Sequence, residues 1–330
     1  MSLINQLNAV TEYFWLHTEP QDIVNKASAL LWRLMGKAIK LGNWEVSPNE
    51  TVEGGLMVKV PLKYGSSHHG AYGKDTVIPR SKKDLFEAAR FRWAGAYGAN
   101  SLNLDDLTQN TGDEAIIHLT KKYIEDIKIN IRVDMANQVI AASDTNDSIN
   151  GLGDLFNTTT STEYGSLDTD EMATWKANVI TDPLEICFET MQRIFRTPGF
   201  GDHEEVMPDF CVTTQELVDG YERSLHPQQH YQHEDLIEAG WRGHCSHRGA
   251  PIVGDPYYTS NGLTTYFDAL NLRHLFLRSH KDYNFTIPEW VAANAAEQPD
   301  AIAANTRWRG NLFCDNRQLH VRCTNLSTPS

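Results

Sequence analysis

The chain has 330 residues, 41% hydrophobic and 22% charged, a composition that supports a substantial core and excludes a disordered, collagenous or low-complexity scaffold. Its net charge of −14 is uneven: residues 1–100 carry 12 Lys+Arg against 9 Asp+Glu, residues 101–240 carry 8 against 27, and residues 241–330 carry 9 against 7. So acidic a chain is a poor general binder of nucleic acid, because sequence-independent affinity comes from Lys and Arg neutralising phosphates; the opposed blocks favour attraction between copies instead.

Residues 1–45 read as an extended start followed by a helix from about Pro20 to Leu41, with Ile23, Ala27, Leu30, Leu31, Leu34 and Ile39 near helical spacing. Val52 to Leu62 then reads as a strand, alternating Leu56, Val58 and Val60 against Met57, Lys59 and Pro61. A glycine- and serine-rich tip with His68, His69, Tyr72 and Lys74 follows, and Thr76-Val77-Ile78 is the predicted return strand. Such a hairpin has little core of its own and is marginal unless it lies on something else.

Thr111-Gly112-Asp113-Glu114 matches a capping box, and no Gly or Pro occurs between Asp113 and Ala142, which predicts a helix of roughly 30 residues. Ile116, Leu119, Tyr123, Ile124, Ile127, Ile131, Met135 and Val139 define its apolar face. Ser143 to Ser166 is a polar excursion. Beyond Trp175 the pattern is mixed: a helix from about Asp182 to Arg196, a strand at Phe210-Cys211-Val212, and a helix capped by Thr213-Thr214-Gln215-Glu216. Asn311 to Thr324, with a turn at Asp315-Asn316-Arg317, predicts a closing β-hairpin. The fold class expected is α+β.

Chemistry is sparse. Gly151-Leu152-Gly153-Asp154-Leu155-Phe156 lacks the third glycine of a dinucleotide fingerprint and follows a helix instead of a strand, so it reads as an ordinary loop. Neither a P-loop nor a G-x-S-x-G elbow occurs. Five cysteines form no C-x-x-C pair and read as reduced thiols, mainly buried. No run approaches the roughly 18 apolar residues of a membrane span, and Met1 to Ala9 has no signal-peptide pattern, so a cytosolic origin is expected.

His226, His230, His233, His244, Cys245 and His247 crowd within 22 positions, and i,i+3 pairs among them could share a metal, so a hydrolytic metalloenzyme is the alternative from another class. His203-Glu204-Glu205-Val206-Met207 and His233-Glu234-Asp235-Leu236-Ile237 both lack the second histidine of H-E-x-x-H, however, and no catalytic pair stands out among 43 carboxylates. No catalytic residue, metal or cofactor is expected. Arg90-Phe91-Arg92-Trp93 reads as a strand packing its aromatics beside the long helix rather than as a base-stacking platform.

Taken in order, these elements resemble the major capsid proteins of tailed bacteriophages, the family with the HK97-type fold. The likeness rests on Gly54-Gly55-Leu56-Met57-Val58-Lys59-Val60-Pro61-Leu62-Lys63-Tyr64, on Ile149-Asn150-Gly151-Leu152-Gly153-Asp154-Leu155-Phe156 with Tyr164-Gly165-Ser166-Leu167 and Trp175, and on Pro208-Asp209-Phe210-Cys211-Val212-Thr213-Thr214 with Tyr221. Gly249-Ala250-Pro251-Ile252-Val253 with Asp255 and Trp308-Arg309-Gly310-Asn311-Leu312 complete it, over about residues 45–325.

The resemblance implies an N-terminal arm at 1–45, an E-loop at 46–82, a peripheral domain at 83–175 with its spine helix at about 113–142, an axial domain at 176–300 and return strands at 301–330. It also implies a structural, non-enzymatic shell protein of the virion, assembled in the host bacterial cytoplasm, whose pentamers and hexamers enclose double-stranded DNA without sequence-specific binding. Portal and scaffolding proteins, and decoration proteins in some relatives, are the implied partners. An encapsulin-like compartment shell is the alternative use of the same fold. The predicted inter-subunit contacts are Lys59, Lys63, His68, His69, Lys74 and Arg80, pairing with the acidic middle of a neighbouring copy.

Overall fold

The computed structural model describes residues 11–12, 28–35, 39–41, 44–46, 51–52, 55–63, 65–74, 77–79, 81–103, 113–141, 147–158, 163–168, 172, 175–199, 206–225, 245–286, 288–292 and 301–329. Two sheets organise the chain. In the first, the 14-residue strand Ala301–Cys314 pairs antiparallel along ten residues with Ala94–Asn103, from Ala301 opposite Asn103 to Gly310 opposite Ala94. Its other edge pairs with Glu289–Ala292 and with Leu275–His280, and the latter takes Thr51–Val52 in parallel.

One helix, Asp113–Ile140, crosses this sheet. An uninterrupted run of helix-tolerant residues carries it for 28 positions, as predicted, and Ile124, Ile127, Ile131, Met135 and Val139 are all buried. Each such side chain contributes about 1.5–3 kcal/mol of transfer free energy. The helix lies close because Gly98 has no side chain: a Cβ there would sit 2.9 Å from Ile127 Cγ2 and 3.0 Å from the Ile127 carbonyl oxygen. Thr111 and Gly112 of the predicted capping box, and the side chains of Ile116 and Leu119, lie outside the described residues.

The second sheet has six strands in the order Cys245–His247, Ala250–Gly254, Phe210–Thr213, Phe267–Leu270, Val321–Cys323, Asn178–Ile180. Helices Phe188–Arg196 and Gln215–Ser224 bury Met191, Ile194, Phe195, Leu217, Val218 and Tyr221 against it. Helices and strands of both kinds in one chain confirm the α+β class.

Several local expectations are corrected. Of the predicted N-terminal helix, Ala29–Met35 is helical, residues 20–27 and 36–38 lie outside the described residues, and its end is corrected: Ile39–Leu41 is a strand paired with Trp44–Val46. Ala29, Leu30, Leu31, Leu34 and Met35 are packed into the main core, where the Asp255 carboxylate accepts the Ser28 hydroxyl proton. The helix expected from Asp182 begins at Phe188, after a two-residue strand, Leu184–Glu185. Thr213 and Thr214 do not cap Gln215–Ser224: their hydroxyls donate instead to the Tyr266 and Thr264 carbonyls, at 2.7 and 3.4 Å. Residues 152–155 of the glycine-containing loop form a short helix with Leu152 and Leu155 buried.

The closing β-hairpin does not form. Ala301–Cys314 ends in the first sheet, a 3-10 turn at Arg317–Leu319 follows, and Val321–Cys323 enters the second sheet, antiparallel to Phe267–Leu270 and parallel to Asn178–Ile180. Arg317 enforces the crossing. Its fully buried guanidinium donates to the carbonyls of Leu155 (2.6 and 2.9 Å), Trp175 (3.0 Å) and Asn157 (3.0 Å) and lies 4.7 Å from the centre of the Tyr164 ring. Leaving so many charge-assisted bonds unmade would cost more than a tight turn gains.

Candidate functional site

A projecting hairpin leaves the body at Met57. Strand Met57–Lys63 pairs antiparallel with Phe86–Arg92, from Met57 opposite Arg92 to Lys63 opposite Phe86. The predicted return strand is therefore corrected: Val77 and Ile78 are exposed and irregular, and Pro79 beside them has no N–H to offer a ladder. Residues 86–92 win because their alternation matches: Phe91 faces Val58 and Ala89 faces Val60, closing an apolar side on which Val58, Ala89 and Phe91 are buried. Phe91 packs edge-on against Tyr164 and tilted against Phe313, each at 5.2 Å, which anchors the base of the hairpin. Farther out, the Gly65 N–H donates to the Leu85 carbonyl, and a Cβ on Gly65 would come within 2.7 Å of the Asp84 carbonyl oxygen.

The opposite face has a different chemistry. It is formed by Met57, Lys59, Pro61 and Lys63 on one strand and by Phe86, Ala88, Arg90 and Arg92 on the other, and every charge on it is positive. Lys59 and Arg90 are directly opposite each other, both exposed. Like charges across a ladder destabilise it. An anionic surface laid on this face would remove that penalty.

The structure thus brings two of the predicted contact residues, Lys59 and Lys63, onto one stripe and adds Arg90 and Arg92, which are not among the predicted contacts. Only the register could reveal them, since it depends on which strand returns. His68, His69 and Lys74 are not on the stripe but in the exposed distal segment, where His68 Nε2 lies 3.0 Å from Ser81 Oγ and His69 Nδ1 lies 2.9 Å from the Ser67 carbonyl oxygen. Arg80 lies outside the described residues. Around them Leu56, Tyr72, Val77, Ile78 and Phe86 are 61–89% exposed, an apolar surface that the subunit itself does not cover.

His226, His230, His233 and His244 of the histidine cluster lie outside the described residues. Cys245 and His247 are buried strand residues. His247 packs on Phe188, Phe195 and Tyr221, with its Nδ1 3.0 Å from the Tyr221 hydroxyl, and burial, aided by Arg248, pushes its pKa down to about 4. Among the described residues no group of three or more His, Cys, Asp or Glu side chains could hold a metal ion, and no helix is long and apolar enough to cross a membrane.

No protein-family model and no curated protein sequence matches the chain. Solved structures do. The chain superposes on a protein of the cyanophage A-1(L) capsid asymmetric unit with a TM-score of 0.61 at 12% identity, covering 84% of this chain and 89% of that one. For the capsid of Myoviridae phage XM1 the TM-score is 0.51 at 12% identity, covering 91% and 93%. For the capsid of a native GTA particle it is 0.52 at 9% identity, covering 84% and 88%.

Proposed function

We propose that this chain, whose fold is the HK97-type fold of tailed-phage capsid proteins, is a major capsid protein that assembles with copies of itself into pentamers and hexamers of an icosahedral head shell around double-stranded DNA. The observation that carries this reading is the hairpin: a lone subunit leaves a cationic stripe and an apolar tip uncovered, on a fold that matches shell subunits over most of its length. The hairpin is the E-loop, 46–82 extended to include the return strand, and it lies across an adjacent copy. Lys59, Lys63, His68, His69, Lys74 and Arg80, joined by Arg90 and Arg92, make the contact with acidic surface of that neighbour.

In this reading residues 1–45 are the N-terminal arm, 83–175 the peripheral domain, 176–300 the axial domain, and 301–330 return the chain. Scaffolding and portal proteins, with decoration proteins where used, are the partners; assembly takes place in the host cytoplasm; and the protein works as a structural tile, not as an enzyme. Negative-stain electron microscopy with light scattering tests it. Wild-type protein expressed with its neighbouring genes should give uniform closed shells, or rings of five and six. Lys59, Lys63 and Lys74 changed together to Glu should leave folded subunits that form no shells; a normal shell yield would overturn the charge-pairing contact, and a wild-type protein that stays monomeric under all conditions would overturn the reading itself.

A further inference from the structure

The first sheet has a second face that the fold leaves open. Strand alternation puts Ala96, Gly98 and Leu102, with Trp308, Thr306 and Ile302 opposite them, on the side of the long helix. The other side carries Tyr97 directly opposite Arg307 and Gly95 directly opposite Arg309. Tyr97 is 74% exposed, a large aromatic ring on the face of the sheet turned away from the long helix. Because Gly95 has no side chain and Ala99 a small one, the surface sinks into a trough of about 640 Å³ between Trp93, Tyr97, Arg307 and Arg309.

The two arginines lie two residues apart on one strand, so their Cα atoms are about 6.6 Å apart on the same face. Arg307 has no ion-pair partner among the described residues, and Arg309 stacks 5.2 Å from the centre of the Tyr283 ring, which fixes its direction without neutralising it. Two carboxylates are nearby: Asp147 at the rim, and Glu289, opposite Asn305 on the adjoining strand. Neither is bonded to Arg307 or Arg309.

We propose that this trough binds the phosphodiester backbone of single-stranded nucleic acid, with Arg307 and Arg309 on successive phosphates and Tyr97 stacked on a base. An acidic protein segment would satisfy the arginines equally well, but it gives no use to an exposed aromatic ring directly opposite one of them; two arginines on one strand with a ring beside them on the next are the arrangement that takes a strand with π-faces and phosphates together. The charge is local. The chain's overall −14 weakens long-range attraction but not a contact made within a Debye length of about 8–10 Å. The site involves none of the hairpin residues of the proposed shell contact, so the two stand or fall separately.

The test uses the purified full-length, unassembled subunit and a fluorescently labelled oligo(dT) of roughly 20 nucleotides, read by anisotropy between about 50 and 200 mM salt. Wild-type protein should bind at low salt. Arg307→Glu with Arg309→Glu should weaken binding at least about tenfold and flatten the slope of log affinity against log salt by about 1.4, the value for two lost phosphate contacts to a single strand. Tyr97→Ala should lose about tenfold while Tyr97→Phe keeps wild-type affinity, because stacking needs only the ring. Ala99→Leu, a strand-compatible change that fills the trough without altering charge, should also weaken binding, and unchanged thermal melts show that the variants fold. Absence of binding at low salt, wild-type affinity in the double-arginine variant, or equal competition by polyglutamate and by unlabelled oligo(dT) would each overturn the proposal; the last would assign the trough to an acidic protein.

Discussion

The two-sheet body and the projecting hairpin solve the same physical problem to different degrees. In the body even fully buried charges are matched: Arg322 donates to both Asp268 carboxylate oxygens at 2.6 Å, and Tyr258 donates its hydroxyl proton to the same carboxylate. Burial alone would lower the Arg322 pKa, but Asp268 overrides it and raises it. In the hairpin, Lys59 faces Arg90 across the ladder, and Val77 and Tyr72 are more than three-quarters exposed. The interior of the body pairs its buried arginines within one subunit. The hairpin carries its unmet polar and apolar surface outward, which is the economy of a part built to be finished by a neighbour.

The largest expected effect tests the body. Asp268→Ala leaves Arg322 buried and unpaired and should cost about 3–5 kcal/mol in denaturant unfolding of the subunit, with Arg322→Met added to it recovering much of the loss. A loss under about 1 kcal/mol would mean that the body relies on its hydrophobic packing alone.

A smaller effect follows from two buried histidines. Burial, with His274 and Arg317 nearby, pushes the His320 pKa down to about 3, and that of His247 falls to about 4, from 6.5. The folded state therefore binds fewer protons than the unfolded chain between these values and pH 6.5, so stability is full above about pH 6.5 and falls on acidification. Each histidine contributes a slope of up to about 1.4 kcal/mol per pH unit. Buried Asp209 and Asp255, whose carboxyls burial raises, act in the opposite sense, so the histidine part is read as the difference between the wild-type slope and that of a His247→Gln, His320→Gln variant. A wild-type slope equal to that of the variant would show that both rings find water on protonation.

The smallest effect on the subunit tests the hairpin. Val77→Ser with Ile78→Ser should change monomer stability by no more than about 0.5 kcal/mol, as for exposed positions generally, while reducing shell yield sharply. A destabilisation comparable to that of Asp268→Ala would remove the contrast between the two regions.

How much of this was legible in the sequence depends on the range of the forces involved. The long helix was legible because its periodicity and freedom from Gly and Pro are local, and so was the hairpin's first strand, where alternation set Lys59 and Lys63 on one side. The return strand was missed because Val77-Ile78 is as β-prone as Phe86 to Arg92, and only pairing with Val58 and Val60 tells them apart. The caps at Thr213 and Thr214 were misread for a related reason: a hydroxyl offered to a helix end can be taken by a carbonyl some 50 residues away.

By itself the sequence determined the elements that local chemistry dictates: the 28-residue helix, the edge character of a glycine-rich tip, the division of charge into blocks, and the order of motifs that resembles a capsid protein. Only the tertiary structure decided which strands meet, and with them the cationic stripe of Lys59, Lys63, Arg90 and Arg92, the open platform of Tyr97, Arg307 and Arg309, and the crossing between sheets at Arg317. The reason is physical. Helical periodicity is satisfied within a few residues, whereas a strand's partner, its register and the face it presents are chosen by burial and hydrogen bonding summed over segments far apart in the chain.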